Sequence, residues 1–486
     1  MKHLILGRLA PMTLDFGKSH YLFFVGLILF SPFAYQQVSG LWNETATPES
    51  ASDPSEINIS ENQAGDKKIV VDGKIIDSHL CEPISGATIY CSGTVVRSGT
   101  DGTFHLNVTD TRNPLMIKAP GYRQTSLISL SENMLVELEP IETRGLYLTH
   151  YGIGSKLLRG KALELINSTE LNAVVIDVKG DRGFLSSTYD VPLASQIGAT
   201  KLITVKDMPA LIEKLHQQDI YVIGRIVVFK DDILAHAMPE LAIHDTKTGA
   251  PWIDNEDLAW IDPFQEEAWH YYIDIAVEAA KIGFDEIQYD YIRFPTDGRL
   301  STAQYSQPNT MENRLRTINK LLEVTQQALL PYNVYFSADL FGYTPWNYND
   351  TDIGQNIEDV ANYVDYICLM LYPSGYHLGI PGYLQSVAHP FEIVYYTLEK
   401  AKKRLGGQAK KLKPWLQNFR DYAFDRRLYT GDEIRLQIEA CQQAATSGYL
   451  LWDPSNYYKY TADAMSALKA NNHLPEPIDE MRRSAF

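Results

Sequence analysis

Between residues 144 and 470, short apolar runs alternate with helical patterns, and this alternation restricts the fold more than any other feature of the chain. The runs are GLYLTHY (145–151), AVVIDVK (173–179), YVIGRIVVF (221–229), FDEIQYDY (284–291), VYFSADL (334–340), VDYICLMLY (364–372), KPWLQNF (413–419) and GYLLWD (448–453). Near-continuous hydrophobic strands separated by helices read as a parallel sheet buried on both faces. The stretch 269–281 is typical of the segments between, with Tyr272, Ile275, Ala276 and Ala279 at helical spacing. Eight strand–helix units predict the α/β class, as a (β/α)8 TIM barrel over 141–470, with its longest loops after strands three, four and six.

The fourth run carries the most chemistry. In FDEIQYDYIRFP (284–295) polar and apolar residues alternate, which puts Glu286, Gln288 and Asp290 on one face. Polar groups along one face of a buried strand are costly unless that face lines a polar cavity. The run breaks at Arg293-Phe294-Pro295, because proline cannot continue a ladder. Asp290 therefore stands at a strand's carboxyl end, where barrels gather catalytic groups. Other polar residues recur at that end: Asp177 and Lys179, Arg225, Asp339, Tyr372, Gln417 and Asp453. A single such aspartate is as easily a helix cap or a satisfied core carboxylate. The recurrence describes an acidic, hydrogen-bonding pocket.

Cleaving a glycosidic bond takes two carboxyl groups, one to protonate the leaving oxygen and one to attack or to activate water. Asp290 is expected as nucleophile or base. Asp339 is expected as general acid, its pKa raised by burial or by its charged neighbour. Arg225 and Arg293 are expected to orient Asp290. The expected substrate-binding residues are Asp177, Lys179, Arg225, Gln288, Arg293, Tyr372, Gln417, Trp452 and Asp453. Trp252, Trp260, Trp346 and Tyr372 are either sugar platforms or, for at least half of them, loop-packing aromatics.

Composition narrows the partners. A net charge of −17 argues against nucleic acid, and 30 tyrosines suit a carbohydrate cleft, though most would pack in strands and helices. There is no HExxH, CxxC, Gly-rich phosphate loop or nucleophile elbow, so neither metal nor cofactor is expected. Residues 1–42 place Lys2, Arg8 and Lys18 ahead of an apolar run at 21–35, as in a signal peptide or membrane anchor. Membrane contact is expected through this segment only, with the rest exported to the periplasm or cell surface. An acidic, disordered linker (43–66) follows, and a polar tail (471–486) ends the chain. Cys81 and Cys91 could pair in an oxidising compartment, whereas Cys368 and Cys441 read as buried thiols.

Residues 67–140 differ in character, with short strands and Gly/Asp turns that indicate a small antiparallel β-sandwich. Val71-Asp72-Gly73, Gly86-Ala87, the 100–104 hairpin and Ala119-Pro120-Gly121-Tyr122 resemble the carboxypeptidase regulatory-like domains, which implies a spacer or binding module. In the barrel region, residues 172–179, 225–231, Trp260-Ile261-Asp262-Pro263 and 285–295 resemble the motifs of the bacterial glycosyl hydrolase-like family known as domain of unknown function 4015. That resemblance implies hydrolysis of a polysaccharide or oligosaccharide. The alternative is a barrel without turnover that binds carbohydrate in envelope assembly.

A remoter similarity is to chitinase-like barrels, through Gln288, Asp290, Met370-x-Tyr372 and Trp452. Ile292 stands where their catalytic Glu would be, and Pro373 replaces an expected Asp. This departure argues against their substrate-assisted mechanism.

Overall fold

The computed structural model describes residues 69–470 apart from 109–111, 130 and 132, so the expected signal or anchor segment, linker and tail lie outside the described residues. Among the described residues no helix is long and apolar enough to cross a membrane.

Eight parallel strands close into a barrel: β1 Thr143–Leu148, β2 Ala173–Lys179, β3 Tyr221–Val227, β4 Glu286–Asp290, β5 Tyr335–Phe341, β6 Tyr366–Leu371, β7 Trp415–Gln417 and β8 Gly448–Trp452. Each pairs with the next, and β8 returns to β1 from Gly448 opposite Thr143 to Leu451 opposite Leu146. The closing point needs glycine. Gly448 has φ 115°, and a Cβ there would lie 1.9 Å from the Thr143 carbonyl oxygen.

The outer layer consists of α1 Lys156–Ser168, α2 Met208–His216, α3 Glu266–Lys281, α4 Met311–Leu329, α5 Ile357–Val360, α6 Pro390–Leu405, α7 Gly431–Gln443 and α8 Thr461–Ala470. Polar residues set several starts. Ser155 caps α1, Asp207 caps α2, and Thr430 with Glu433 forms a reciprocal capping box on α7. α5 is a single turn, shorter than the other seven. The chain before it is spent on a turn at Asp350, which Arg314 of α4 grips with hydrogen bonds of 2.5 and 3.0 Å.

The two-residue period sorts the side chains into two cores. Val175, Ile223, Trp415 and Leu450 fill the inside of the barrel. Val174, Ile176, Ile287 and Leu340 pack outward with Ile275, Ile318 and Leu398 of the helices.

The N-terminal strands form two sheets that share one apolar cluster, including Val71, Ile75, Ile89, Leu106, Ile117 and Val136. Four of the strand pairings are antiparallel, as expected. Ile69–Asp77 and Met134–Leu138 instead run parallel. They are the first and last strands of this segment, so no tight hairpin forces them to oppose. The possible Cys81–Cys91 disulfide is absent: both thiols are free. Cys81 is exposed just after the turn at 78–80, and the Cys91 sulfur is buried 3.7 Å from the Asn113 carbonyl.

This sheet pair docks on the amino-terminal end of the barrel. The Tyr335 hydroxyl lies 3.2 Å from the Ala119 amide and 2.8 and 2.7 Å from the carbonyls of Ala119 and Tyr122. The Gly121 amide donates to the Tyr366 hydroxyl at 2.9 Å, and Lys118 pairs with Asp365 at 2.7 Å. Tyr335→Phe keeps the ring but strands buried backbone groups on the docked loop. It is expected to cost about 1–3 kcal/mol in urea unfolding with the fold retained; an unchanged midpoint would show that the hydroxyl contributes nothing to the joint.

Candidate active site

The carboxyl ends of the strands open into a cavity of about 800 Å³, a size usual for small-ligand sites. Arg225 of β3 stands at its base, buried. Its Nη1 donates to Asp177 Oδ1 of β2 at 2.6 Å, and its Nε and Nη2 donate to Asp290 Oδ2 of β4 at 3.0 and 2.5 Å. Strand register aligns the three residues. Arg225 is paired with Asp177 across one edge and with Gln288 across the other, one inward position below Asp290. The guanidinium lies 5.5 Å from the Tyr147 ring centroid and 4.9 Å from that of Trp452, and these two rings stack on each other at 4.0 Å. Burial opposes the Arg225 charge, but Asp290 and then Asp177 outweigh it and hold the group firmly protonated.

Asp290 accepts a third hydrogen bond, at 2.6 Å, from the Tyr291 amide. Tyr291 has φ 53°, in the left-handed region that a bulky residue enters only when its surroundings impose it, at about 1–3 kcal/mol. That kink ends β4 and redirects the chain toward Arg293.

Asp339 of β5 is also buried. Its Oδ1 accepts from Trp415 Nε1 at 2.8 Å, and its Oδ2 lies 3.9 Å from Arg225 Nε. Burial first, and the neighbouring Asp290 charge second, push its carboxyl well above the usual range. Asp177 and Asp453 are also raised, burial being the main cause in each; the Tyr147 hydroxyl and the Arg225 guanidinium oppose the shift at Asp177. The cavity thus holds one carboxyl with three converging donors and another driven toward its protonated form.

Of the residues expected at the site, Arg225, Asp290, Arg293, Asp339, Tyr372, Trp452 and Asp453 line the cavity, and Asp177 supports it through Arg225. The others lie elsewhere. Lys179 shares the alternation of Asp177, but the register slips by one after Asp177, where Ile226 pairs with Lys179. Its ammonium ends up 2.9 Å from Asp231 and over the ring of Tyr272 on α3. Gln288 faces inward but deeper, and donates to the Cys368 sulfur at 3.2 Å. Gln417 is buried among loops, accepting from the Ser374 amide at 3.0 Å and donating to the Ser374 hydroxyl at 2.8 Å.

Arg293 does not orient Asp290. It makes no ion pair with it and lies among the rings of Trp260, Tyr291 and Phe341. Trp252, Trp260 and Trp346 spend their indole N–H on Arg299, Asp254 and Thr397 and fasten loops.

Sequence reading missed Tyr147, Asn418, Arg420 and the loop aromatics Tyr376, Tyr422, Tyr429, Tyr457 and Tyr460. The signals for Tyr422, Tyr429, Tyr457 and Tyr460 were the aromatic-rich stretches after β7 and β8, such as SNYYKY at 455–460, which carry no strand or helix period, whereas Tyr147 lies within β1 and Tyr376 follows β6. Among the described residues no group of three or more His, Cys, Asp or Glu side chains could hold a metal ion.

Residues 145–458 match the family model described as "Putative glycosyl hydrolase domain" (domain of unknown function 4015). No curated protein matches the chain. A hypothetical protein from Ruminiclostridium thermocellum ATCC 27405 is 38% identical over 40% of this chain and 96% of its own, with a TM-score of 0.35. The PgaB (BpsB) glycoside hydrolase domain from Bordetella bronchiseptica is 14% identical over 67% and 99%, with a TM-score of 0.48. A chitinase from Chromobacterium violaceum ATCC 12472 is 12% identical over 68% and 100%, with a TM-score of 0.41.

Arg225→Met leaves Asp177 and Asp290 buried without their cation, and loss of that opposing charge drives the Asp177 carboxyl, already raised by burial, further above its unfolded value. Stability from such groups is present below the unfolded pKa and is lost as pH rises through the folded one. The variant's deficit against the wild type is therefore expected to be small in acid and to reach about 3–5 kcal/mol near neutral pH. Urea midpoints measured across that range check the trend; a deficit independent of pH would contradict it.

Proposed function

The chain belongs to the glycosyl hydrolase domain family that its residues 145–458 match, and we propose that it hydrolyses a glycosidic bond with Asp290 as nucleophile and Asp339 as general acid. The observation that carries this reading is that both carboxyl groups stand against Arg225 Nε, Asp290 Oδ2 hydrogen-bonded to it at 3.0 Å and Asp339 Oδ2 at an ion-pair distance of 3.9 Å. The two oxygens can be no further apart than the sum of those distances. That limit covers the roughly 5–5.5 Å of retaining enzymes and only the lower end of the roughly 6.5–9.5 Å of inverting ones.

The chemistry follows from the two environments. Asp290, with three donors on its oxygens, suits a group that attacks the anomeric carbon as an anion. Asp339, kept toward its acid form, gives its proton to the departing oxygen as the carbon–oxygen bond breaks. The resulting carboxylate then takes a proton from water, which attacks the glycosyl–Asp290 ester and releases the sugar with its configuration retained. Arg225 holds Asp290 in place throughout. Tyr372 and Trp452 line the cavity and offer ring faces to sugar C–H groups. Export implied by residues 1–42 points to an envelope or extracellular polysaccharide as substrate. The β-sheet segment, with its resemblance to carboxypeptidase regulatory-like domains, fits a spacer or binding role.

Incubation with bacterial envelope polysaccharides is expected to release new reducing ends, and Asp290→Asn to cut the rate by at least about a thousandfold. Release unchanged in that variant would remove Asp290 from the centre of the reaction. Binding without release by the wild type would favour a carbohydrate-binding barrel. Asp339→Asn is expected to lose most activity on natural linkages and much less on aryl glycosides, whose phenolate leaves without a proton. Equal losses on both would argue against the acid role.

A further inference from the structure

Seven lysines and arginines are buried among the described residues: Lys118, Lys179, Arg225, Lys230, Arg293, Arg314 and Lys413. Six of them have a carboxylate within ion-pair distance: Asp365, Asp231, Asp177 with Asp290, Asp254, Asp350 and Glu286 respectively. Arg293 has none among the described residues, although only 9% of it is exposed. A buried cation without a counter-charge is costly unless something supplies one.

Its surroundings fix the guanidinium without using up its donors. The rings of Tyr291, Trp260 and Phe341 lie 4.9, 5.1 and 5.8 Å from it. Only Nη1 is engaged, donating to the Phe294 carbonyl at 3.1 Å and the Thr296 hydroxyl at 3.3 Å. Nε and Nη2 donate to no group among the described residues, and Arg293 lines the cavity. A guanidinium with one edge free presents the paired N–H geometry that matches a planar carboxylate or the oxygens of a sulfate or phosphate.

The rest of the cavity does not cancel this charge. Of the carboxyls lining it, Glu256 is taken by Lys230 and Asp290 by Arg225. Burial drives Asp339 and Asp453 toward neutrality. Arg420 and Lys459 also line the cavity and form no ion pair among the described residues. A chain of net charge −17 thus surrounds a cavity with surplus positive charge.

We propose that the cavity takes an acidic glycan, and that Arg293 recognises the anionic group on one of its sugars. This rests on the glycan-cleaving reading above and names the class of substrate within it. Arg293 sits just beyond the Tyr291 kink, in the same cavity as Asp290, so the charged sugar would lie at or beside the cleaved bond.

The test is titration calorimetry on the wild type and on Asp290→Asn. The probes are an oligogalacturonate, its neutral methyl ester, and a sulfated and a phosphorylated oligosaccharide. At least one charged probe is expected to bind about tenfold or more tightly than the neutral ester, as a charge-assisted paired contact implies. The best charged probe identifies the anion. Arg293→Gln is expected to erase that preference and Arg293→Lys to keep part of it.

Equal affinity for charged and neutral probes, a preference that survives Arg293→Gln, or binding of none of the probes overturns the assignment. Charge preference without hydrolysis would keep this site and remove the hydrolase reading. Hydrolysis of neutral glycans without charge preference would do the reverse.

Discussion

A single buried guanidinium organises the carboxyl end of the barrel. Arg225 reaches sideways to Asp177 on β2 and to Asp290 on β4, with Asp339 of β5 at 3.9 Å and two stacked rings beside it. Burying these charges is unfavourable unless geometry and hydrogen bonding repay the lost hydration. The pairing therefore tolerates only one alignment of three adjacent strands. A slip by one residue on any of them would turn a charged group into the apolar layer under the helices. The ionic contact that prepares the site also fixes the register that creates it.

Asp339 derives its character from the same arrangement. It stands too far from Arg225 for a direct hydrogen bond, while Trp415 donates to its other oxygen. Proximity to Asp290 and loss of water dominate over these two favourable contacts. Two aspartates on neighbouring strands thus receive different environments because one guanidinium is turned toward only one of them.

What was legible in the sequence was the period. β2 was read to the residue, and the other strands to within a few residues, because apolar runs of strand length report burial on both faces. Alternation identified Asp290, Asp339 and Arg225 as inward-facing. It does not report height within the barrel, and for that reason Gln288 shares a face with Asp290 yet lies beneath the cavity. It also fails at irregularities. One slipped residue carried Lys179 to Asp231, and a left-handed Tyr291 carried Arg293 away from Asp290. The loop aromatics have no period at all, and their positions follow from long-range packing that a linear pattern does not encode. In the first segment, alternation predicted strands, but strand direction depended on a crossover between distant elements.

The docked sheet pair has a consequence for traffic. Tyr335 and Tyr366 reach out of the barrel floor into the Lys118–Tyr122 loop, and side chains fill the interior above them. The barrel is a vessel with one mouth. A ligand cannot thread through it and must leave by the opening through which it entered. Entry and exit therefore share one route, and the loops at the rim govern both.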